Sequence, residues 1–336
     1  QHMYQPGLLY VAFGQMMPDE LYRDQRSLLE PTIDFHVDPV EEFELDKNQV
    51  RTVGGKVHEY DILVIATGSR MVPEEIPGLV EGTETFYTEE TAIKMFKALR
   101  EFQGGKLAIT VGVPHKCPIA PIEVTFSLND YFKKRGIRDK VQMKYHYPIN
   151  RIHSIENVAK WAAPEFDRLG IEYETLFNVK EVDPVNKIIR TEEDTEAEYD
   201  LLISIPEHRG MQVIESSDLG ARGWIPTDRH SLTMEGHDNV YVLGDTTNLP
   251  VSKTGSAAHF EAEVVAENIA SNIKIGTPVR DYDGKVYCFI EAGHDRATYA
   301  MFDYLNPPDL KEPNQSMHWF KVSYNQMYWT TVRGLL

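Results

Sequence analysis

Two cysteines are the side chains of this sequence best suited to redox chemistry. Cys117 lies in Lys-Cys-Pro-Ile-Ala-Pro-Ile-Glu (116–123), and Cys288 lies in Val-Tyr-Cys-Phe-Ile-Glu-Ala-Gly (286–293). A cysteine pair can cycle between two thiols and a disulfide, and a thiolate attacks other sulfur atoms. Taken alone, each is better explained as a small buried residue. Two cysteines in 336 residues are too few for a disulfide framework or a zinc site built from cysteines.

A second group of candidate residues stands where two short apolar runs end in glycine turns. One run, Asn-Val-Tyr-Val-Leu-Gly-Asp (239–245), is followed by Lys253-Thr254-Gly255 and a helical pattern, and the other ends in Thr67-Gly68. Glycine lets a cofactor approach the backbone, a carboxylate accepts hydrogen bonds from hydroxyls, and a helix N-terminus attracts phosphate. A lone Gly-Asp is usually an ordinary turn. Two such turns in this order are more specific.

The elements that must position these residues alternate between strands and helices. The strand at 60–66 is predicted to be buried on both faces, and the helix at 89–101 has Ile93, Phe96 and Leu99 on its apolar face. Further strands are predicted at 34–37, 48–53, 106–113, 141–145, 171–176, 178–182, 187–190 and 199–205, and one in the run 239–245 that ends in Gly-Asp. Further helices are predicted at 122–134, 159–169 and up to 273. This alternation indicates an α/β fold with parallel sheets covered by helices.

Charge and hydropathy exclude several classes of function. The chain has 34 Lys and Arg against 52 Asp and Glu, a net charge of -18, so nucleic acid and anionic lipid headgroups are repelled. The acidic run 192–196 is predicted to be a solvated hairpin tip. No apolar stretch reaches the roughly 20 residues that a membrane-spanning helix needs. No metal site is predicted.

Together, the two glycine turns resemble the paired FAD-binding motifs of the two-dinucleotide-binding-domain flavoproteins. The resemblance implies an FAD-binding domain from 1–80 and 201–275, a second Rossmann-like domain at 81–200 carrying Cys117, and a membrane-facing C-terminal region at 276–336 carrying Cys288. It implies FAD as the cofactor, with Asp245 on the ribityl chain and Lys253 near the flavin. The implied FAD-binding residues are Val37, Ala66, Thr67, Gly68, Gly244, Asp245, Lys253, Thr254 and Gly255.

One part of the flavoprotein pattern is missing. These proteins open with a strand, a Gly-x-Gly-x-x-Gly turn and a helix that holds the FAD pyrophosphate, and no such fingerprint precedes Tyr60. We therefore expect that the sequence begins inside a longer protein, and that this chain alone binds FAD weakly.

The second nucleotide fingerprint is replaced by the Cys117 segment. At 112–118 the sequence reads Gly-Val-Pro-His-Lys-Cys-Pro, so a proline and a bulky basic pair stand where NADH-binding relatives have glycines. The segment from Cys117 to Glu123 and the segment around Cys288 resemble sulfide:quinone oxidoreductases and the flavoprotein subunit of flavocytochrome c sulfide dehydrogenase. A pyridine nucleotide is therefore not expected as electron donor.

This resemblance implies that Cys117 and Cys288 form a disulfide or sulfur-bridged pair beside the flavin. Sulfide attacks one sulfur, a persulfide forms, and two electrons pass to FAD. Thiolate chemistry needs a lowered thiol pKa or a nearby proton acceptor, and Glu123 is the candidate acceptor. The alternative role for Glu123 is a carboxylate at a helix start. His115 and His153 are weaker candidates for proton transfer.

The sequence departs from these relatives in two ways. Many sulfide:quinone oxidoreductases have a third cysteine that aligns near 86–88, where this chain has Phe-Tyr-Thr. A two-cysteine scheme is therefore implied. The cytochrome-linked relatives attach FAD through a cysteine that would fall near Met3, so covalent attachment of FAD in this way is not expected.

Aromatic and basic residues near the C-terminus are the predicted quinone site. Lys321, Tyr324 and Tyr328 are the implied quinone residues, in a region that contacts the membrane surface as a peripheral or monotopic protein on an undetermined side. The same pattern also fits a helix packed on the core. Three other functions stay open: sulfide oxidation with cytochrome c as acceptor, a type II NADH:quinone dehydrogenase, and a non-catalytic binding module. A homo-oligomer also stays open.

Overall fold

The computed structural model describes residues 1–334 of the chain and contains alternating strands and helices, as the sequence predicts. The strands are β1 (His2–Met3), β2 (Tyr22–Arg23), β3 (Val40–Glu44), β4 (Gln49–Thr52), β5 (Val57–Glu59), β6 (Leu63–Ile65), β7 (Ser69–Met71), β8 (Gly105–Val111), β9 (Val141–Tyr147), β10 (Glu172–Thr175), β11 (Val179–Asp183), β12 (Ile188–Thr191), β13 (Glu196–Glu198), β14 (Leu201–Ile205), β15 (His208–Gly210), β16 (Thr233–Met234), β17 (His237–Val242), β18 (Val286–Glu291) and β19 (Ala297–Phe302). The helices are α1 (Gly7–Ala12), α2 (Leu79–Gly82), α3 (Glu89–Glu101), α4 (Ala120–Lys134), α5 (Glu156–Leu169), α6 (Gln212–Ser216), α7 (Gly255–Ile275), α8 (Gln315–Gln326) and α9 (Tyr328–Thr331).

A four-stranded parallel sheet in the order β10-β9-β8-β14 lies at the centre of the largest apolar core. Parallel neighbours need crossover connections, and α4 and α5 lie in the connections that follow β8 and β9. The predicted division places β14 in the first region, but Leu201 of β14 pairs with Leu107 of β8. This sheet therefore extends past position 200. The division into regions otherwise stays a prediction, and 335–336 lie outside the described residues.

A smaller sheet in the order β16-β17-β6 positions the two glycine turns. β17 and β6 are parallel, with Val242 opposite Ile65. Their carboxyl ends therefore lie at the same edge of the sheet, where ligands of α/β folds commonly bind. Thr67-Gly68 follows β6 and Gly244-Asp245 follows β17, so the sheet brings the two turns side by side.

Helix α4 carries the Cys117 segment into the core. It begins three positions after Cys117 and has Pro121 in its first turn, where a missing N–H costs nothing. Its last turn contains Lys133 and Lys134, and Gly136 follows with a φ of +69°. Basic residues in the last turn and a glycine after it are common at helix ends, and the helix ends where the sequence predicts. Phe126 and Phe132 of α4 are fully buried.

The hairpin of β18 and β19 brings Cys288 to the same core. The strands are antiparallel, with Cys288 opposite Ala300. Alternate residues Val286, Cys288 and Ile290 are buried, as expected for a strand with one face on the core. β18 contacts α4 and α7, and α8 packs on β19. Within the described residues, no helix is both long and apolar enough to cross a membrane.

Three local predictions are wrong in detail. The segment 34–37 has no strand, and the strand predicted at 60–66 is only β6, with Val64 42% exposed, so it is not buried on both faces. Helix α3 buries Ala92, Met95 and Leu99, whereas Ile93 is 43% exposed. The apolar residues of α3 fit two overlapping helix faces, one through Ile93 and one through Ala92. The face that contains Ala92 packs against the core.

Candidate functional site

The two glycine turns are joined by side-chain hydrogen bonds. The hydroxyl of Thr67 donates to the hydroxyl of Thr246 at 3.1 Å. The hydroxyl of Ser69 donates to Oδ2 of Asp245 at 3.0 Å. The turns at the ends of β6 and β17 therefore form one unit, as the paired-motif prediction required.

The residues around these turns fit the FAD cofactor. Gly68 and Gly244 have φ angles of +74° and +75°, which favour glycine. A methyl group built on Gly68 or Gly255 would meet no other atom within 4 Å, so open space lies against their backbone. Helix α7 begins at Gly255, and its 21 residues give a full helix dipole that favours phosphate at this end.

Lys253 lies between the glycine turn and α7. Its Nζ donates to the carbonyl oxygens of Asp245 at 2.9 Å and Thr247 at 2.6 Å, and it lies 4.2 Å from the ring centre of Trp224. Burial lowers the pKa of Lys253 to about 8, against the opposing charges of Asp245 and Glu261. Lys253 therefore stabilises the turn at Gly244-Asp245 by donating to the backbone carbonyls of Asp245 and Thr247.

Cys117 lies in the loop between β8 and α4, in the left-handed region with a φ of +53°. Its backbone N–H donates to the carbonyl oxygen of Lys253 at 2.7 Å, and its carbonyl accepts from the N–H of Ala120 at 2.9 Å. Burial, followed by the charge of Glu123, raises the pKa of the Cys117 thiol to about 11. This hydrogen bond joins the Cys117 loop to the segment that precedes α7.

Cys288, on β18, lies close to the same 253–256 segment. It is 8% exposed, and the backbone N–H of its neighbour Tyr287 donates to the hydroxyl of Ser256 at 3.2 Å. The hydroxyls of Thr254 and Ser256 act to lower the pKa of the Cys288 thiol. Burial, followed by the proximity of Cys117, raises the pKa of Cys288 well above its usual value. Both cysteines are free thiols, and Cys117 packs against the core cluster that contains Cys288. The 253–256 segment therefore contacts both cysteines and the Gly-Asp turn.

Thiolate chemistry needs either a lowered thiol pKa or a nearby proton acceptor, and the raised pKa values of both cysteines exclude the first. A lowered pKa would have supplied thiolate at neutral pH, but burial keeps both Cys117 and Cys288 protonated there. The chemistry of the pair therefore needs a proton acceptor, or a disulfide as its starting state.

A buried ion pair connects Glu123 with the C-terminal helix α8. Nζ of Lys321 contacts Oε1 of Glu123 and lies 3.7 Å from Oε2 of Glu291, and His318 Nδ1 donates to Oε1 of Glu291 at 2.7 Å. Lys321 is 7% exposed. Burial opposes its charge, but Glu123, Tyr10 and Glu291 together keep the pKa of Lys321 above its usual value. Glu123 is therefore more than a helix-start carboxylate.

The three predicted quinone residues have different surroundings. Lys321 lies in the buried ion pair, and Tyr324 is 38% exposed with its ring 5.6 Å from that of Phe289. The hydroxyl of Tyr328 is hydrogen-bonded to Nε2 of His2 at 2.8 Å. On α8, Trp319 and Phe320 are exposed. Lys321 and Tyr324 lie on α8 and Tyr328 begins α9, and the shared quinone site stays a prediction.

The two candidate histidines beside Cys117 are buried and neutral. Burial lowers the pKa of His115 and of His153 to about 4. In His153, Nδ1 accepts the N–H of Ile155 and Nε2 donates to the carbonyl of Pro118, both at 2.9 Å. His153 therefore supports the Cys117 loop.

Two predicted cofactor residues are exposed. Ala66 stands at the end of β6, beside the glycine turn, and Val37 lies on the irregular segment before β3 with 84% exposure. Sequence reasoning also missed residues that the structure brings to the site, namely Tyr10, Glu261, Glu291 and His318. No local pattern distinguishes these residues, since Glu261, for example, is followed on α7 by Glu263 and Glu267.

No protein-family model matches the chain. It is 29% identical over 344 residues to the mitochondrial sulfide:quinone oxidoreductase of Dictyostelium discoideum, with 98% of this chain and 75% of the relative covered. It is 28% identical over 321 residues to the mitochondrial sulfide:quinone oxidoreductase of Mus musculus, with 92% and 71% covered.

A solved structure agrees with these sequence matches. The X-ray structure of the sulfide:quinone oxidoreductase of the hyperthermophilic bacterium Aquifex aeolicus matches with a TM-score of 0.86 at 25% identity, covering 99% of this chain and 83% of that chain. The resemblance inferred from the cysteine and glycine motifs is thereby confirmed. Over nearly its whole length, this chain resembles the sulfide:quinone oxidoreductases and has the two-dinucleotide-binding fold of FAD-containing flavoenzymes.

Proposed function

We propose that this protein oxidises hydrogen sulfide with Cys117 and Cys288 as its redox pair, and that FAD carries the electrons to a membrane quinone. One observation carries the proposal. The 253–256 segment binds Cys117 through the carbonyl of Lys253, and it binds the strand of Cys288 through the hydroxyl of Ser256, which accepts the backbone N–H of Tyr287 at 3.2 Å. The same segment opens α7 and supports the Gly244-Asp245 turn through Nζ of Lys253. Two cysteines and the cofactor turn thus share one short stretch of chain.

The first step is an exchange at a Cys117–Cys288 disulfide. A hydrosulfide ion forms a bond to one cysteine sulfur, and the bond between the two cysteines breaks. One cysteine then carries a persulfide and the other is a thiolate. The sulfide sulfur is oxidised by two electrons, and the disulfide accepts them. A disulfide does not titrate, so neither cysteine has to lose a proton before the attack. The raised pKa of the departing thiol slows the exchange, so the thiolate that leaves needs a proton or a nearby cation.

The same raised pKa values make the freed thiolate reactive. Burial and the charge of Glu123 both disfavour a negative charge on Cys117. A thiolate held in such a place is a strong electron donor, since losing electron density relieves the unfavourable charge. When bound, FAD accepts two electrons from this site and passes them on to the quinone.

Glu123 is the proposed proton acceptor of the cysteine site. Its carboxylate is close enough to raise the pKa values of both Cys117 and Cys288, and Lys321 balances its charge. Glu291 and His318 extend the polar contacts from Lys321 towards the surface of α8. Overall, one hydrogen sulfide and one quinone give one sulfane sulfur atom and one hydroquinone, so two protons move with the two electrons.

The proposed membrane contact is the exposed side of α8. Trp319, Phe320 and Met327 are 57%, 52% and 40% exposed. Aromatic side chains of this kind favour the bilayer interface, and their insertion needs no positive field. A peripheral position on a membrane, with Lys321, Tyr324 and Tyr328 near the quinone, follows from this proposal.

Anaerobic half-reactions test the function. The FAD-loaded protein is mixed with sulfide and then, separately, with NADH, and the flavin absorbance is followed. We expect bleaching by sulfide and return of the absorbance when decylubiquinone is added. Bleaching by NADH alone would reject the proposal. If cytochrome c reoxidises the flavin and the quinone does not, sulfide remains the electron donor and cytochrome c replaces the quinone as the acceptor.

A further inference from the structure

Glu261 is a buried carboxylate that the proposed reaction does not use. It lies on α7, is 1% exposed, and its Oε2 accepts the backbone N–H of Gly244 at 2.5 Å. Gly244 belongs to the Gly-Asp turn and has a φ of +75°. A charged side chain is rarely buried without a partner, and this partner is the backbone of the cofactor turn itself.

The surroundings of Glu261 contain one cation and one other carboxylate. Lys253 favours the charged form of Glu261 and Asp245 opposes it, and the hydroxyls of Tyr282 and Tyr304 are close enough to be affected by its charge. Burial raises the pKa of Glu261 to about 7, although the N–H of Gly244 and the charge of Lys253 act in the other direction. The group therefore titrates near neutral pH.

We propose that Glu261 is a positioning residue that holds the Gly244-Asp245 turn in its FAD-binding conformation, and that protonation of this carboxylate weakens FAD binding. The inference rests on FAD as cofactor and is independent of the sulfide reaction. A hydrogen bond to an ionised acceptor is about twice as strong as one to a neutral acceptor. The ionised carboxylate therefore restrains the turn more firmly than the carboxylic acid does.

Electrostatic repulsion of the FAD phosphates is the effect that opposes this proposal. The hydrogen bond to Gly244 acts at contact distance, and the cation of Lys253 offsets the charge of Glu261 at pH values below the Lys253 pKa of about 8. We expect the hydrogen bond to dominate, so FAD affinity rises with pH across the neutral range.

FAD titrations at pH 6 and pH 8 test the proposal, with flavin fluorescence as the signal. The proteins are the wild type, Glu261→Gln, Glu261→Leu and the control Glu263→Gln. Glu263 lies on the same helix, but its side chain is 46% exposed and contacts Arg280. The control therefore loses one negative charge from α7 without changing the turn.

We expect the wild type and the control to bind FAD about fivefold to tenfold more weakly at pH 6 than at pH 8. Glu261→Gln should show the weaker value at both pH values, because its amide accepts the N–H of Gly244 without charge. Glu261→Leu should bind more weakly still. A Glu261→Gln protein that keeps the wild-type pH dependence would overturn the proposal, as would wild-type affinity in Glu261→Leu.

Hydrogen exchange supplies a readout without FAD. In the cofactor-free protein, we expect the backbone amide of Gly244, measured in peptides that span 241–247, to exchange faster in Glu261→Leu than in Glu263→Gln. Equal exchange in the two variants would contradict the positioning role. If Glu261→Leu fails to fold, the comparison of Glu261→Gln with the wild type still decides.

Discussion

The backbone N–H of Cys117 donates a 2.7 Å hydrogen bond to the carbonyl oxygen of Lys253. This bond joins two segments that are distant in sequence, the loop after β8 and the start of α7. Cys117 also has a φ of +53°, which costs about 1 kcal/mol or more for a residue with a side chain. The loop keeps this conformation because both of its ends are held, by Lys253 and by α4.

Replacing either cysteine by serine should abolish sulfide oxidation and leave FAD binding unchanged. Serine is nearly isosteric but cannot form a disulfide or a persulfide. We expect the rate of flavin bleaching by sulfide to fall by at least about 100-fold in Cys117→Ser and in Cys288→Ser. The measurement is anaerobic stopped-flow absorbance, with FAD content as the control. Sulfide oxidation at the wild-type rate in both variants would remove the cysteine pair from the mechanism.

Glu123→Gln should make Cys117 more reactive towards iodoacetamide. Glu123 raises the pKa of Cys117 and Lys321 lowers it, so removing the carboxylate shifts the pKa downward from about 11. More thiolate is then present at pH 8, and we expect alkylation about threefold to tenfold faster in a Cys288→Ser background. Lys321→Met is the matched opposite change and should slow alkylation. The same rate in all three proteins would show that Glu123 does not influence the cysteine.

The sequence predicted the cofactor turns and the cysteine segments because these depend on local pattern. Gly68 and Gly244 follow short apolar strands, and parallel strands place their carboxyl ends together. The ends of α4 and α5 were predicted for the same reason, since Gly136 and Gly170 both have positive φ.

Contacts between distant side chains could not be predicted from the same pattern. Lys321 lies against Glu123, which is 198 positions away in sequence, and no local pattern indicated this ion pair. Glu261 looked like one more acidic residue of α7, because nothing in its neighbours shows that this helix turn faces Gly244. Such pairs depend on how α4, α7 and α8 pack, which apolar periodicity does not specify.

Lys321→Met should destabilise the protein strongly, because it leaves Glu123 buried without its cation. We expect a loss of about 3–5 kcal/mol in the free energy of unfolding, measured in urea. Changing Glu123 to Gln as well should recover much of this loss. The control is Lys160→Met on α5, whose pair with Glu156 is exposed, where we expect less than about 0.5 kcal/mol. Additive losses in the double variant would mean that the two residues are not coupled.

Glu261→Gln should change how stability depends on pH. The folded pKa of Glu261 is about 7, against an ordinary value of 4.5, so the folded protein binds this proton more tightly than the unfolded chain. The stability that this provides is complete below pH 4.5 and is lost as the pH rises to about 7. Relative to the wild type, Glu261→Gln should therefore gain up to about 3 kcal/mol between pH 5 and pH 8. Parallel urea-derived stability curves for the two proteins would contradict this assignment.

A matched pair of glycine substitutions tests where the cofactor lies. Gly68 and Gly136 have φ angles of +74° and +69°, and a methyl group on either would meet no other atom within 4 Å. Gly68→Ala and Gly136→Ala should therefore cost similar stability, about 1 kcal/mol, from backbone strain alone. The space beside Gly68 is the one proposed for FAD, whereas Gly136 only ends α4. Gly68→Ala should weaken FAD binding about tenfold, because its methyl group occupies the cofactor's space, and Gly136→Ala should leave the affinity unchanged. Equal FAD affinity in the two variants, measured by fluorescence titration, would place the cofactor away from the Thr67-Gly68 turn.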